Sequence, residues 1–144
     1  MSLELQAILI FNIILAALLS GVIGLDRERK RDRKKTEAAG LRTHILVGVG
    51  ACLFTVLSRH AFPPGDPSRV AAQVVSGIGF LGAGVIFVRN DKSVKNLTTA
   101  ASIWATAAIG MAVGVGAWLL AMASTVIVWV ILVVVSKIEV RAGS

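Results

Sequence analysis

Residues 97–136 read LTTAASIWATAAIGMAVGVGAWLLAMASTVIVWVILVVVS, apolar throughout and broken only by Gly114-Val115-Gly116. A helix crosses about 30 Å of hydrocarbon with about 20 residues, so this stretch is twice the length of one span. Glycines relieve the steric limits of a short connection. The stretch therefore predicts two spanning helices, 97–113 and 117–136, joined as a tight hairpin. Outward from it lie three more apolar runs of spanning length, at about 5–25, 41–57 and 70–88. The second and third are separated by a polar loop holding all three prolines, Pro63, Pro64 and Pro67. The predicted fold class is all-α integral membrane. One transmembrane domain of five helices is expected to fill residues 1–144, with no soluble C-terminal domain expected.

Composition agrees. Hydrophobic residues make up 56% of 144 residues and the mean hydropathy is +0.80, more than a soluble domain of this size can hide. An ordinary soluble enzyme, a disordered regulator and a disulfide-stapled secreted domain are excluded. The single cysteine, Cys52, lies inside an apolar run and reads as a small packing residue. The first run follows Met1-Ser2-Leu3-Glu4, with no basic segment before it, and is too long for a signal sequence. It is expected to be a retained anchor.

Charge orients the chain. The formal net charge is +7, and in a soluble protein such an excess would suggest nucleic acid. Here the basic residues cluster between apolar runs. Of fifteen Lys and Arg, only Arg59 and Arg69 fall on one side, leaving thirteen on the other. By the positive-inside bias the N-terminus is out and the C-terminus in. The Arg27–Lys35 segment carries seven basic residues interleaved with acidic ones and has no aromatic for base stacking, so nucleic acid is not an expected partner. Anionic lipids of the cytoplasmic face are, because each exposed Lys or Arg there gains about 1 kcal/mol.

Small residues recur at four-residue spacing in Ala16/Ser20/Gly24, Ala72/Ser76, Gly79/Ala83 and Ala101/Ala105. Lipid gives helices no hydrophobic drive to associate, so small residues are used to bring backbones close. Gly77, Gly79, Gly82 and Gly84 crowd the third helix and predict very close helix packing there or, as the lesser reading, a locally irregular backbone lining a cavity. Such faces also make a homo-oligomer the expected state. Trp118 reads as an interfacial anchor and Trp104 as a packing residue, while Asn12, Gln73 and Ser102 are expected to hydrogen-bond between helices.

Four motifs stand in order along the chain: Gly24-Leu25-Asp26-Arg27-Glu28, Ala39-Gly40-Leu41-Arg42-Thr43-His44, Gly77-Ile78-Gly79-Phe80-Leu81-Gly82-Ala83-Gly84, and Leu97-Thr98-Thr99-Ala100-Ala101-Ser102. Together they resemble the MgtC/SapB family, over about residues 10–136. The resemblance implies a bacterial inner-membrane protein, linked in some members to growth at low magnesium and to survival inside host cells. Longer members carry a soluble domain after the last span, whose function does not transfer here. Many members have glycine at the position of Asn96, a departure that touches a turn.

Candidate functional residues follow from these motifs. Asp26 and Glu28 end the first apolar run. Mg²⁺ prefers one or two carboxylates plus water, but these two point to different helix faces amid dense positive charge. Ion pairs of Asp26 with Arg29 or Lys30, and of Glu28 with Arg31, are the stronger expectation. Arg42 opens the second helix either as a membrane-edge anchor or as a clamp on Asp26. Thr43 follows it. His44, a turn deeper, is expected to be a hydrogen-bonded structural residue more than a metal ligand or proton relay. Asn96, Thr98 and Thr99 are expected to cap the fourth helix. No catalytic constellation is present and no cofactor is implied; whether a metal binds is left open.

Two functions remain. One is a non-enzymatic regulator or interaction protein of the membrane, acting on itself or on another membrane complex. The other is an oligomeric carrier or channel for Mg²⁺ or another cation. The scarcity of ionisable residues within the spans favours the first.

Overall fold

The computed structural model describes residues 2–34, 39–61, 65–88 and 94–138. Lys35, Pro63, Pro64, Arg89, Lys92 and Arg141 lie outside these residues, as do the side chains of Arg31, Arg33 and Lys34. Among the described residues, five helices are long and apolar enough to cross a membrane: α1 (Leu3–Lys34), α2 (Leu41–His60), α3 (Ser68–Val85), α4 (Leu97–Gly114) and α5 (Trp118–Val130), the last prolonged to Ile138 through a π-helical turn (Ile131–Val135). The chain is a multi-pass membrane protein.

Three helix ends and one turn differ from the sequence reading; α2, for one, runs to His60 and not 57. The first apolar run stops at residue 25, yet α1 continues to Lys34. Residues 26–34 contain no glycine or proline and are mostly good helix formers, so their charges mark the membrane edge without ending the helix. The third helix stops at Val85, short of residue 88, because Ile86 turns extended. The β-prone pair Phe87–Val88 (β1) then pairs antiparallel with Val94–Lys95 (β2). In the fifth helix, the π turn interrupts what the sequence suggests is a uniform helix.

Between α4 and α5, Val115 continues the helical turn and Gly116 takes φ +82, a conformation glycine enters without strain. The Ala117 amide donates to the Ala112 carbonyl at 2.9 Å, closing the turn. At the same end of the bundle, on the connection between α2 and α3, Asp66 receives the Ser68 amide and hydroxyl at 2.9 Å each, which starts α3 and holds the Asp66 carboxyl below its usual range.

α1, α2 and α4 form the centre. α1 buries Leu9, Asn12, Ala16, Ser20, Ile23 and Arg27, spaced three or four apart along one face. This face contains the Ala16/Ser20/Gly24 repeat, and at each step the reason is contact distance. A Cβ on Gly48 of α2 would collide with the Ser20 hydroxyl, and one on Gly110 of α4 would collide with the Gly48 carbonyl. A Cβ on Gly114 would stand 2.8 Å from the Cys52 carbonyl, and one on Gly24 would stand 3.0 Å from the Leu41 Cα. Three helices thus touch backbone to backbone along a line of small residues. Cys52 is buried at this contact as a packing residue.

α3 and α5 lie outside this trio. α3 packs on α4 and α2 but buries only Ile78, and α5 itself buries only Ala121 and Thr125. The expectation for the α3 glycines is corrected here. A Cβ on Gly77, Gly79 or Gly84 would meet nothing within 4 Å, and one on Gly82 would meet only Ala100 at 3.8 Å. They do not bring helices together within the chain, because α3 turns this side away from its neighbours. Ala72, Ser76 and Ala83 are exposed for the same reason, and Ala101 on α4 is exposed as well. Trp104 is also corrected: it is 54% exposed, because α4 turns Ile103 and Ala107 inward instead.

Gly110→Ala should destabilise the domain by about 1–3 kcal/mol, the usual cost of forcing extra volume into a packed contact. Gly79→Ala should be neutral or slightly stabilising, since alanine favours a helix and nothing obstructs it. Unfolding of both variants in one detergent, followed by circular dichroism, separates the two classes of glycine.

Candidate functional site

The polar groups gather where α1, α2, α4 and the π turn meet, at one end of the bundle. Asp26 accepts from Arg27 Nη2 at 2.6 Å and Nε at 3.1 Å, and from Lys30 Nζ at 3.1 Å. The Lys30 pair follows the predicted helical spacing. Arg29 is exposed and takes no part; the adjacent Arg27 replaces it, folding back while its own side chain is buried. Lys30 also donates to the Leu132 carbonyl in the π turn at 2.5 Å. One ammonium therefore ties α1 to the end of the fifth helix through a carboxylate and a carbonyl.

Glu28 does something its spacing did not suggest. Its Oε2 accepts the Leu41 amide at 2.7 Å, so α1 supplies the side-chain acceptor for the first amide of α2. Gly40, at the N-cap, has no side chain to do this. A negative charge at that end also complements the helix dipole. The expected partner, Arg31, has its side chain outside the described residues.

His44 is fully buried and bridges α2 to α4. Its Nδ1 lies 2.8 Å from the Gly40 carbonyl and its Nε2 lies 2.9 Å from Ser102 Oγ. Ser102 Oγ in turn lies 2.8 Å from the Thr99 carbonyl. A carbonyl only accepts, so Nδ1 carries a proton. In a neutral ring Nε2 is then an acceptor, and the single hydroxyl hydrogen of Ser102 must point to it. If that hydrogen instead serves Thr99, Nε2 must donate too and the ring is an imidazolium. The orientation of one hydroxyl thus reports the charge on a buried histidine. Among the described residues, no three His, Cys, Asp or Glu side chains come together.

The remaining candidates are scattered. Arg42 is exposed and makes no ion pair among the described residues; it does not clamp Asp26, whose cations come from its own helix. Thr43 faces a crevice between α2 and α3. Asn96 stands at the N-cap of α4 without capping it. Its backbone takes φ +62, a left-handed conformation open to asparagine and glycine, and its side-chain amide donates to the Val85 carbonyl at 3.2 Å. Thr98 and Thr99 are inside the helix, exposed and buried respectively, and neither side chain caps it. Ser102 and Asn12 do bond between helices, Asn12 accepting from Trp118 Nε1 at 2.9 Å, whereas Gln73 is exposed.

The site unites Asp26, Glu28 and His44 and adds Arg27, Lys30, Leu41 and Leu132. Lys30 was legible from its four-residue spacing to Asp26. The backbone partners at Leu41 and Leu132 carry no side-chain signal at all.

The MgtC family model matches residues 13–141. The chain is 44% identical over 140 residues to "Putative magnesium transporter YhiD" of Escherichia coli strain K12, covering 92% of this chain and 62% of that protein. It is 45% identical over 119 residues to "Protein MgtC" of Salmonella typhimurium strain LT2, covering 83% of this chain and 48% of that one. The chain thus spans between about half and three-fifths of these relatives. No solved structure matches it.

Ser102→Ala should cost about 1–3 kcal/mol, because a buried ring nitrogen loses its partner. Thr98→Ala, on the exposed side of the same turn, should stay within about 0.5 kcal/mol of the parent. Both are read by thermal unfolding in detergent.

Proposed function

The chain belongs to the MgtC family, and from that premise we propose that it is a non-enzymatic regulator or interaction protein of the bacterial inner membrane, serving magnesium limitation or stress. The observation that carries this reading is the closed centre. Gly110 and Gly48 meet backbone to backbone, leaving no lumen between α2 and α4 for an ion. The charged side chains of the described spans cluster at their ends, with none midway, whereas ion pathways place such groups inside the membrane. What the protein offers instead is surface: α3 and α5 present uncovered apolar faces to lipid, to further copies of the chain or to another membrane complex. The N-terminus lies outside and the C-terminus in the cytoplasm, on the charge bias of the connecting segments.

A second reading, an oligomeric carrier of Mg²⁺ or another cation, is favoured by the uncovered glycines of α3 together with the name of the E. coli relative. Any pathway would then lie between copies of the chain.

Proteoliposomes holding the folded, inserted protein are expected to take up Mg²⁺ no faster than protein-free vesicles. Flux above that control which falls in Asp26→Asn, with folding verified, overturns the regulator reading in favour of the carrier. Orientation is tested separately by single-cysteine labelling in a Cys52→Ala background. Lys137→Cys should be reached only from the cytoplasmic side and Gly65→Cys only from the other.

A further inference from the structure

Between α2 and α3 runs a crevice of about 550 Å³, open to the side. It begins at Thr43 and Leu81 and extends along α2 to Phe54. Thr43 and Gln73 are its only polar side chains. Two glycines keep it wide: Gly50 on one wall and Gly77 on the other, each with nothing within 4 Å of a built Cβ. No contact within the chain requires glycine at either position, and glycine weakens a helix. Their effect is to leave the space.

The dimensions of the crevice fit one leaflet. From Thr43 to Phe54 is eleven residues of helix, about 16 Å of rise and about half of a ~30 Å hydrocarbon core. Its mouth lies at the end of α2 where Arg42 immediately precedes the lining residue Thr43 and stands one turn before the lining residue Leu46; Arg42 is exposed and without an ion pair among the described residues. The first turn of α2 adds the partial positive charge of a helix N-terminus.

We propose that this crevice holds an acyl chain of an anionic phospholipid, with Arg42 pairing with the phosphate at its mouth. A cation above an apolar slot of single-leaflet depth is complementary to an anionic amphiphile. A second copy of the chain fits less well. It would bring its own exposed Arg29 and Arg42 to the same level, and a packed helix would use the full membrane thickness. The leaflet named, the cytoplasmic one, rests on the proposed orientation; the site itself does not.

The test is native mass spectrometry of the full chain, released from detergent after incubation with equal phosphatidylglycerol and phosphatidylethanolamine. Orientation, transport and regulation do not enter this measurement, so its failure is separate from theirs. The parent chain should retain lipid with phosphatidylglycerol preferred. Gly50→Leu and Gly77→Leu, on opposite walls, should each lose one bound lipid while Ile127→Leu on α5 loses none. Arg42→Gln should keep the lipid but lower the phosphatidylglycerol preference about fivefold, as the loss of one lipid-facing cation worth about 1 kcal/mol requires. Unchanged lipid number in both glycine variants, with native helix content by circular dichroism, overturns the proposal. So does an unchanged preference in Arg42→Gln. A dimer that dissociates in Gly50→Leu assigns the crevice to a second copy and overturns it as well.

Discussion

Everything in this bundle depends on how closely α1, α2 and α4 approach at Ser20, Gly48 and Gly110. In water, helices are pressed together by the apolar surface they remove from solvent. In a bilayer the alternative neighbour is a lipid tail, equally apolar, so association must come from contact density and from bonds between helices. Removing Cβ atoms supplies the first. The Gly48 carbonyl can sit against Gly110 only because neither residue carries a side chain there. Ser20 fits at the same level with a hydroxyl buried against Gly48 and no hydrogen-bond partner among the described residues, a cost the packing has to offset.

That close approach sets up the polar end of the bundle. With α1 and α2 in contact at Gly24 and Leu41, Glu28 comes within reach of the first amide of α2. With α2 against α4, His44 reaches Ser102. Lys30 then secures the fifth helix through Leu132, at the π turn where its regular ladder is interrupted. Each link satisfies groups that would be expensive to leave bare near the membrane, and each joins a different pair of elements. The resulting cluster is a structural clamp first. Its one titratable member with two alternative proton arrangements, His44, is held inside it.

The number of spans was legible because bilayer thickness imposes a length on apolar runs, and the turn was legible because 97–136 is too long for one helix and carries its glycines midway. Helix ends were less legible. Charges at residues 26–34 signal the membrane surface, which a helix can simply pass through, as α1 does. The packing expected of the α3 glycines within the chain was misplaced for a related reason, although Gly77 does line a crevice. Four in eight residues of α3 outweigh Gly48, Gly110 and Gly114 on any count, yet density is not contact. What distinguishes the buried glycines is phase: Gly110 and Gly114 lie four apart on the face that also carries Thr99, Ser102, Ile103, Thr106 and Val113. Capping by Glu28 was hidden because its partner is a backbone amide thirteen residues away.

The two sets of glycines show why small residues in a membrane helix need a neighbour before they have a meaning. At Gly48 and Gly110 the missing Cβ is filled by another backbone, and the contact holds the fold together. At Gly50 and Gly77 the missing Cβ leaves a slot, and the same absence of volume makes room for something that is not part of this chain. A lipid-facing helix gains nothing from such a slot if tails pack equally well against leucine. The helix propensity given up at two facing positions therefore calls for a compensating interaction, and it must come from an occupant held better than bulk lipid. Arg42 at the mouth supplies a term that bulk tails cannot, an attraction for charge at the one end of the slot that reaches the surface.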